Sequence, residues 1–272
     1  MLTIDDIGRD LSERLKADRA AFRLSSFSGS EKNLVIGTLR GRVKGPVVVV
    51  ARDRADAEKR MNDLGFFLGK DGKSVCFFPA STLVPLKSLS YQSDTVAERM
   101  RILNLLTAGD APDILVVTPD ILVQRLIPKK ELLDFTDIVM VNEDVDLDNL
   151  AARFVSGGYT RTTLVEEPGD FSLRGGIVDF FSPMYEHPVR MELFGDTVES
   201  LRFFSVSTQR KIDSLTEALI VPARETILKR EELDEIVNRV RKQASLMNIP
   251  VSKVRNIVEL IKGEGGAGET EN

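Results

Sequence analysis

Three short apolar runs constrain this chain more than any other feature: GPVVVVA (45–51), SVCFFP (74–79) and DILVVTP (113–119). Each is too short for an ordinary helix and too uniformly apolar for a strand with one wet face. Each therefore reads as a strand buried on both faces of a parallel sheet. Helical patterns fill the gaps. Residues 53–68 read as a helix capped by Asp53, and residues 93–109 as a helix capped by Ser93 or Asp94 and stopped by Gly109. An amphipathic helix over 3–20 precedes them, with Ile7, Leu11 and Leu15 on one face. Strands alternating with helices make this part an α/β layer with a parallel sheet.

The rhythm changes after LVQRLIPKK (122–130). DIVMVN (137–142) reads as a strand and DLDNLAARFVSGG (146–158) as a short helix closed by glycines. From there to about residue 222 only short strand patterns follow: YTRTTLV, IVDFFSP, VRMELFGD, VESLRFFSV and EALIVPA, separated by Glu-Pro-Gly, Arg-Gly-Gly and Gly-Asp turns. This is a second, mainly antiparallel α+β domain, and 272 residues are enough for two cores. Helices resume in EELDEIVNRVRKQASLM and VSKVRNIVELIK with Pro250 between them, and GEGGAGETEN reads as a flexible, linker-like tail.

Composition excludes several functions. A net charge of −5 argues against a general nucleic-acid coat, though a local basic patch stays open. The single cysteine, Cys76, cannot form an internal disulfide or build a zinc site, which suits a reducing cytosol. The single histidine, His187, leaves little room for histidine catalysis. No apolar stretch reaches membrane-span length, and the acidic, amphipathic MLTIDDIGRDLSERLK does not read as a signal peptide. A cytoplasmic protein with no membrane partner is expected.

LSSFSGSEKNLVIGTL (24–39) has the outline of a phosphate loop leading into a helix. A working loop has the form G-x-x-x-x-G-K-[ST], in which glycines bring backbone N–H groups to the phosphates and the hydroxyl holds magnesium. Aligned on Lys32, Ser26 and Glu31 replace the two framework glycines, Asn33 replaces the hydroxyl, and Gly29 is the one glycine left inside the loop. A Glu31 carboxylate about 4 Å from a phosphate costs roughly 1–4 kcal/mol. The loop therefore reads as kept for its place in the fold, with no cofactor bound. The acidic stretch NEDVDLD (142–148) lacks the glycine and terminal glutamate of a calcium loop and reads as a helix cap. Glu98 and Arg101 read as a surface pair three apart on a helix.

VSGGYTRTTLVEEPGDFSLRGGIVDFFSP (155–183) sets Arg161 and Arg174 among turns near Phe180 and Phe181. Alternation along a strand lets one phenylalanine face the core and the other solvent. Arginines beside an exposed aromatic have interface composition. A solvated sheet face over two core phenylalanines fits the same residues.

The order and spacing of GSEK, FFPASTLVPL, SDTVAERMRIL, ILVVTPDILVQRLIP, GYTR, VEEPGDFSLRGGIVDFFSP, PVRMELFGDTVESLRFFSVSTQR and LIVPARE resemble the N-terminal part of the bacterial transcription-repair coupling factors (Mfd), itself similar to the excision-repair protein UvrB. The resemblance covers the chain to about residue 225. It implies a RecA-like domain over 1–125, an inserted α+β domain over 126–217, and a return to the first domain over 218–272. It also implies that the inserted domain recruits UvrA, with Arg161, Arg174 and Phe181 at the contact. In UvrB a further arginine precedes the Arg-Gly-Gly; here that position is Ser172. UvrB holds DNA with a tyrosine-rich hairpin in the region matching PASTLVPLKSLSYQSD (79–94), which has only Tyr91, so weak DNA binding is expected. In such a factor this surface is masked by other domains, and ATP, RNA polymerase and DNA are bound through regions absent here. The expected function is a non-catalytic interaction module; the alternative is a UvrB-type ATP-dependent DNA-damage-binding protein.

Overall fold

The computed structural model describes residues 3–17, 23, 25, 27, 29–69, 75–81, 90–225, 227 and 232–266. The chain divides into two compact units, Met1–Lys87 with Arg101–Arg125, and Ser88–Met100 with Leu126–Asn272.

The first unit contains α1 (Ile4–Ala17), α2 (Glu31–Thr38), β1 (Val47–Val50), α3 (Arg54–Leu68), β2 (Val75–Phe78), the second half of α4 (Ser90–Ala108) and β3 (Ile114–Val117). The three apolar runs do pair in parallel, in the order β1-β3-β2, with Val47 and Val75 on either side of Ile114. Ala57 and Leu64 of α3 pack with Val49, Ile114 and Val116. The central strand β3 is buried at all four positions, as a continuous apolar run requires. β1 departs from the expectation of two buried faces. It lies at the edge of the sheet, and Val48 and Val50 are about half exposed while Val49 between them is buried. The strand alternates in burial although its sequence does not alternate.

Asp53 caps α3 as expected, its carboxylate accepting from the Asp56 N–H at 2.8 Å. α4 ends at Gly109, whose φ of +83° suits a glycine. The helix begins a turn earlier than expected, at Ser90, so Ser93 and Asp94 lie inside it. No glycine or proline stands between Ser90 and Asp94 to start the helix later.

The second unit holds α5 (Lys129–Phe135), β4 (Asp137–Met140), α6 (Leu147–Ser156), β5 (Thr160–Arg161), β6 (Asp170–Arg174), β7 (Ile177–Phe180), β8 (Val189–Phe194), β9 (Thr197–Phe204), β10 (Lys211–Leu215), β11 (Glu217–Ile220), α7 (Leu233–Leu246) and α8 (Val251–Gly266). Six strands form one sheet in the order β10-β9-β8-β7-β6-β5, antiparallel except for the β5–β6 pair. β11 and β4 form a separate antiparallel pair. α6 supplies Leu150 and Phe154 to a core with Phe171, Val178, Phe180, Val189, Met191 and Leu201. The Phe154 ring lies 5.0 Å from Phe171 and 5.3 Å from Phe180. Tyr159 completes the cluster. Its hydroxyl donates to the Val221 carbonyl at 2.8 Å, and burial holds its pKa well above the usual value.

The acidic stretch at 142–148 does the capping work expected of it: Asp146 accepts from the N–H groups of Asp148 and Asn149, both at 3.0 Å. α8 runs to Gly266, four residues into the stretch read as a tail. Residues 267–272 lie outside the described residues. No helix among the described residues is long and apolar enough to cross a membrane.

Candidate functional site

The stretch whose sequence has the outline of a phosphate loop leads directly into α2. The Gly29 N–H donates to the Glu31 carboxylate at 2.6 Å. Glu31 thus bonds to the backbone of its own loop. Asn33, which the sequence alignment on Lys32 sets where a working loop has its hydroxyl, is buried. Its amide donates to Asp63 at 2.8 Å, and Arg60 donates to its carbonyl oxygen at 3.4 Å, tying α2 to α3. Lys32 is exposed and forms no ion pair among the described residues. Ser26 lies outside the described residues, as does the side chain of Tyr91.

The other candidates belong to the six-stranded sheet. Strand alternation assigns its two faces. Leu173, Val178, Met191 and Leu201 turn toward the α6 core, so Arg174, Asp179, Arg190 and Arg202 turn away from it. Registry aligns Asp179 with Arg190 and Arg190 with Arg202 across β7, β8 and β9. Arg190 grips both oxygens of Asp179, at 2.6 and 2.7 Å, and Arg174 donates to the same carboxylate at 2.8 Å. Asp179 is only 2% exposed, whereas Arg174 remains 53% exposed. A carboxylate so buried requires paired cations, and two guanidiniums supply them. The Asp179 bond and field also raise the Arg190 pKa. Alongside, Arg202 bonds to Glu192, and that bond holds the Glu192 carboxyl down to about 2.

Phe180 and Phe181 point to opposite faces as strand geometry demands, but neither faces solvent. Phe180 is fully buried in the α6 core. Phe181 is 7% exposed and packs with Val165 and Phe204 in a second small cluster on the other face. That face has its own apolar layer, which the alternation rule alone does not reveal. Arg190 lies with its guanidinium 4.5 Å above the Phe204 ring. Phe181 is thus linked to Arg174 through Phe204, Arg190 and Asp179, three residues that motif reading left out. An acid within the otherwise apolar IVDFF and an arginine within VRMELF were the signals available for two of them.

Arg161 is exposed on the edge strand β5, in register with Phe171, and forms no ion pair among the described residues. Arg174 stands three residues further along β6, so the two arginines are about 10 Å apart along the strand direction. Ser172 is buried in register with Asp179, so no arginine emerges there.

Cys76 is buried, with the Arg101 guanidinium 3.8 Å from its sulfur. His187 is exposed, its ring 6.5 Å from Phe203. Among the described residues no cluster of three or more His, Cys, Asp or Glu could hold a metal.

A protein-family profile described as "UvrB interaction domain" matches residues 138–225, the segment that carries β4 to β11. The chain is 35% identical over 261 residues to a transcription-repair-coupling factor of Myxococcus xanthus, covering 94% of this chain and 22% of that protein. It is 32% identical over 238 residues to the factor of Bacillus subtilis, covering 86% and 20%. A Staphylococcus aureus factor is 28% identical over 218 residues, covering 80% and 18%. The chain spans about a fifth of the length of the curated relatives it matches. Residues 138–225 are therefore a UvrB interaction domain, carried on a chain that is homologous over most of its length to part of the transcription-repair-coupling factors.

Proposed function

We propose that this chain is the non-catalytic, UvrA-recruiting part of a transcription-repair coupling factor acting in nucleotide-excision repair. Residues 126–217 form the UvrA-binding domain, inserted into a RecA-like domain made by residues 1–125 and 218–272. Arg161, from the edge of the sheet, and Arg174 contact UvrA, and Phe181 packs beneath the face that carries Arg174. Other domains of the full-length factor mask this surface and so restrain UvrA recruitment. RNA polymerase, DNA and ATP are engaged through those domains, in the cytoplasm. The observation that carries the reading is the coincidence of the UvrB interaction domain match with the sheet bearing both arginines. The direct test is titration of the chain with purified UvrA. Arg161→Ala combined with Arg174→Ala is expected to weaken binding at least tenfold, about 1.4 kcal/mol; binding unchanged by both substitutions removes the site.

The absence of catalysis rests on the loop. Glu31 already occupies the Gly29 N–H, and Asn33 is committed to Asp63 and Arg60. Titration with ATP and magnesium is expected to give no binding at micromolar nucleotide. A micromolar dissociation constant would favour the UvrB-type enzyme instead.

A further inference from the structure

The buried position of Phe181 leaves the arginines of this surface without an exposed aromatic from the motif itself. One lies on a neighbouring strand. Phe194 ends β8 and is 82% exposed, a large apolar ring left in solvent. Its neighbour Leu193 packs against the α6 core, so Phe194 projects from the opposite face, the face that carries Arg174, Asp179 and Arg190.

Backbone geometry locks this corner. Leu193 N–H donates to the Gly176 carbonyl at 2.8 Å, and Ile177 pairs with Glu192. A side chain at Gly176 would meet the Leu193 carbonyl oxygen at 2.9 Å, so the Arg-Gly-Gly turn needs its second glycine to come this close to β8. Gly175 and Gly195, with φ of +59° and +63°, close the two hairpin turns side by side. The corner therefore holds the Arg174 backbone near the turn that follows Phe194, while the half-exposed Arg174 guanidinium reaches back along the sheet to Asp179, level with Arg190 and four residues before Phe194 on β8. Arg174 spends one of its five N–H donors on Asp179.

We infer that Phe194 is the aromatic anchor of the partner-binding surface, entering an apolar recess on UvrA, while carboxylates further along the same UvrA surface take the spare donors of Arg174. The inference rests on the UvrA reading above and adds a residue to it. Arginine and an exposed aromatic on one sheet face match the composition of binding hot spots. Among the described residues the ion pairs of Arg174, Arg190 and Arg202 go to two carboxylates, Asp179 and Glu192, and this surplus of positive charge within the cluster selects an acidic protein surface. Asp179 is a positioning residue here: its buried carboxylate fixes Arg174 and does not itself reach the partner.

The test is titration of purified UvrA with the whole chain and its variants, with thermal melting in parallel. Phe194→Ala is expected to weaken binding at least tenfold at an unchanged melting temperature, and binding of the parent chain is expected to weaken as salt rises. If Phe194→Ala binds within twofold of the parent while Arg161→Ala with Arg174→Ala does not, the anchor is refuted and the UvrA site stands. If the arginine variant also binds like the parent, or the parent does not bind, both fall. Salt-independent binding removes the acidic partner surface.

Discussion

Replacing Arg99 with alanine is expected to destabilise the second unit by about 3–5 kcal/mol, the cost of breaking a buried ion pair. Arg99 lies on α4 with its side chain 1% exposed. Its Nε and Nη2 bond to the two carboxylate oxygens of Glu225, the second at 3.0 Å. The fork geometry matters as much as the charge. Lysine presents a single point donor, so Arg99→Lys is expected to recover only part of the loss. Glu225→Gln keeps one acceptor and should fall between the two. Domain stabilities run to about 5–15 kcal/mol, so the alanine variant loses a large share of its margin. Urea denaturation followed by circular dichroism measures this. A loss below about 1 kcal/mol, typical of an exposed pair, would mean that the contact does not hold the first half of α4 in place.

The second large effect concerns Phe181. Truncation to alanine removes the ring from the cluster with Val165 and Phe204 and is expected to cost about 3 kcal/mol, the low end for Phe→Ala because the cluster is small. Phe204 supports the Arg190 guanidinium, so UvrA binding should weaken as well, as a consequence of loosened packing. Phe181→Leu restores most of the apolar volume and is expected to restore both stability and binding. The urea midpoint separates packing from contact: if Phe181→Ala leaves the midpoint unchanged and still abolishes binding, the ring touches the partner directly.

The α/β character was legible because a parallel central strand leaves an unmistakable mark: Ile114 to Val117 are all apolar and all buried. The Asp53 and Asp146 caps were legible because a capping carboxylate acts within three residues of itself. β10 was not legible. Lys211 to Ser214 are exposed on an edge strand and carry no apolar period. β6 was hidden by its brevity between two glycine turns, and α5 by its seven residues. At the candidate site the motifs named Arg161 and Arg174. Their supports escaped notice because Asp179, Arg190 and Phe204 sit on three different strands and meet only through the sheet register. The ion pair of Arg99 with Glu225 joins SDTVAER to VPARE, two segments that sequence reading treated separately.

The pair also carries a consequence for synthesis. Arg99 leaves the ribosome 126 residues ahead of Glu225, and every strand of the six-stranded sheet is made in between. Neighbouring strands β6 to β10 can zip as hairpins while they emerge, since each turn is local. The α4 clasp cannot close until the last of that sheet has been translated. During this interval Arg99 has no carboxylate from Glu225 to meet, and the helix around it must wait with its eventual partner still unmade. The clasp is therefore a late event in the life of each new chain, set by the order in which its residues are joined.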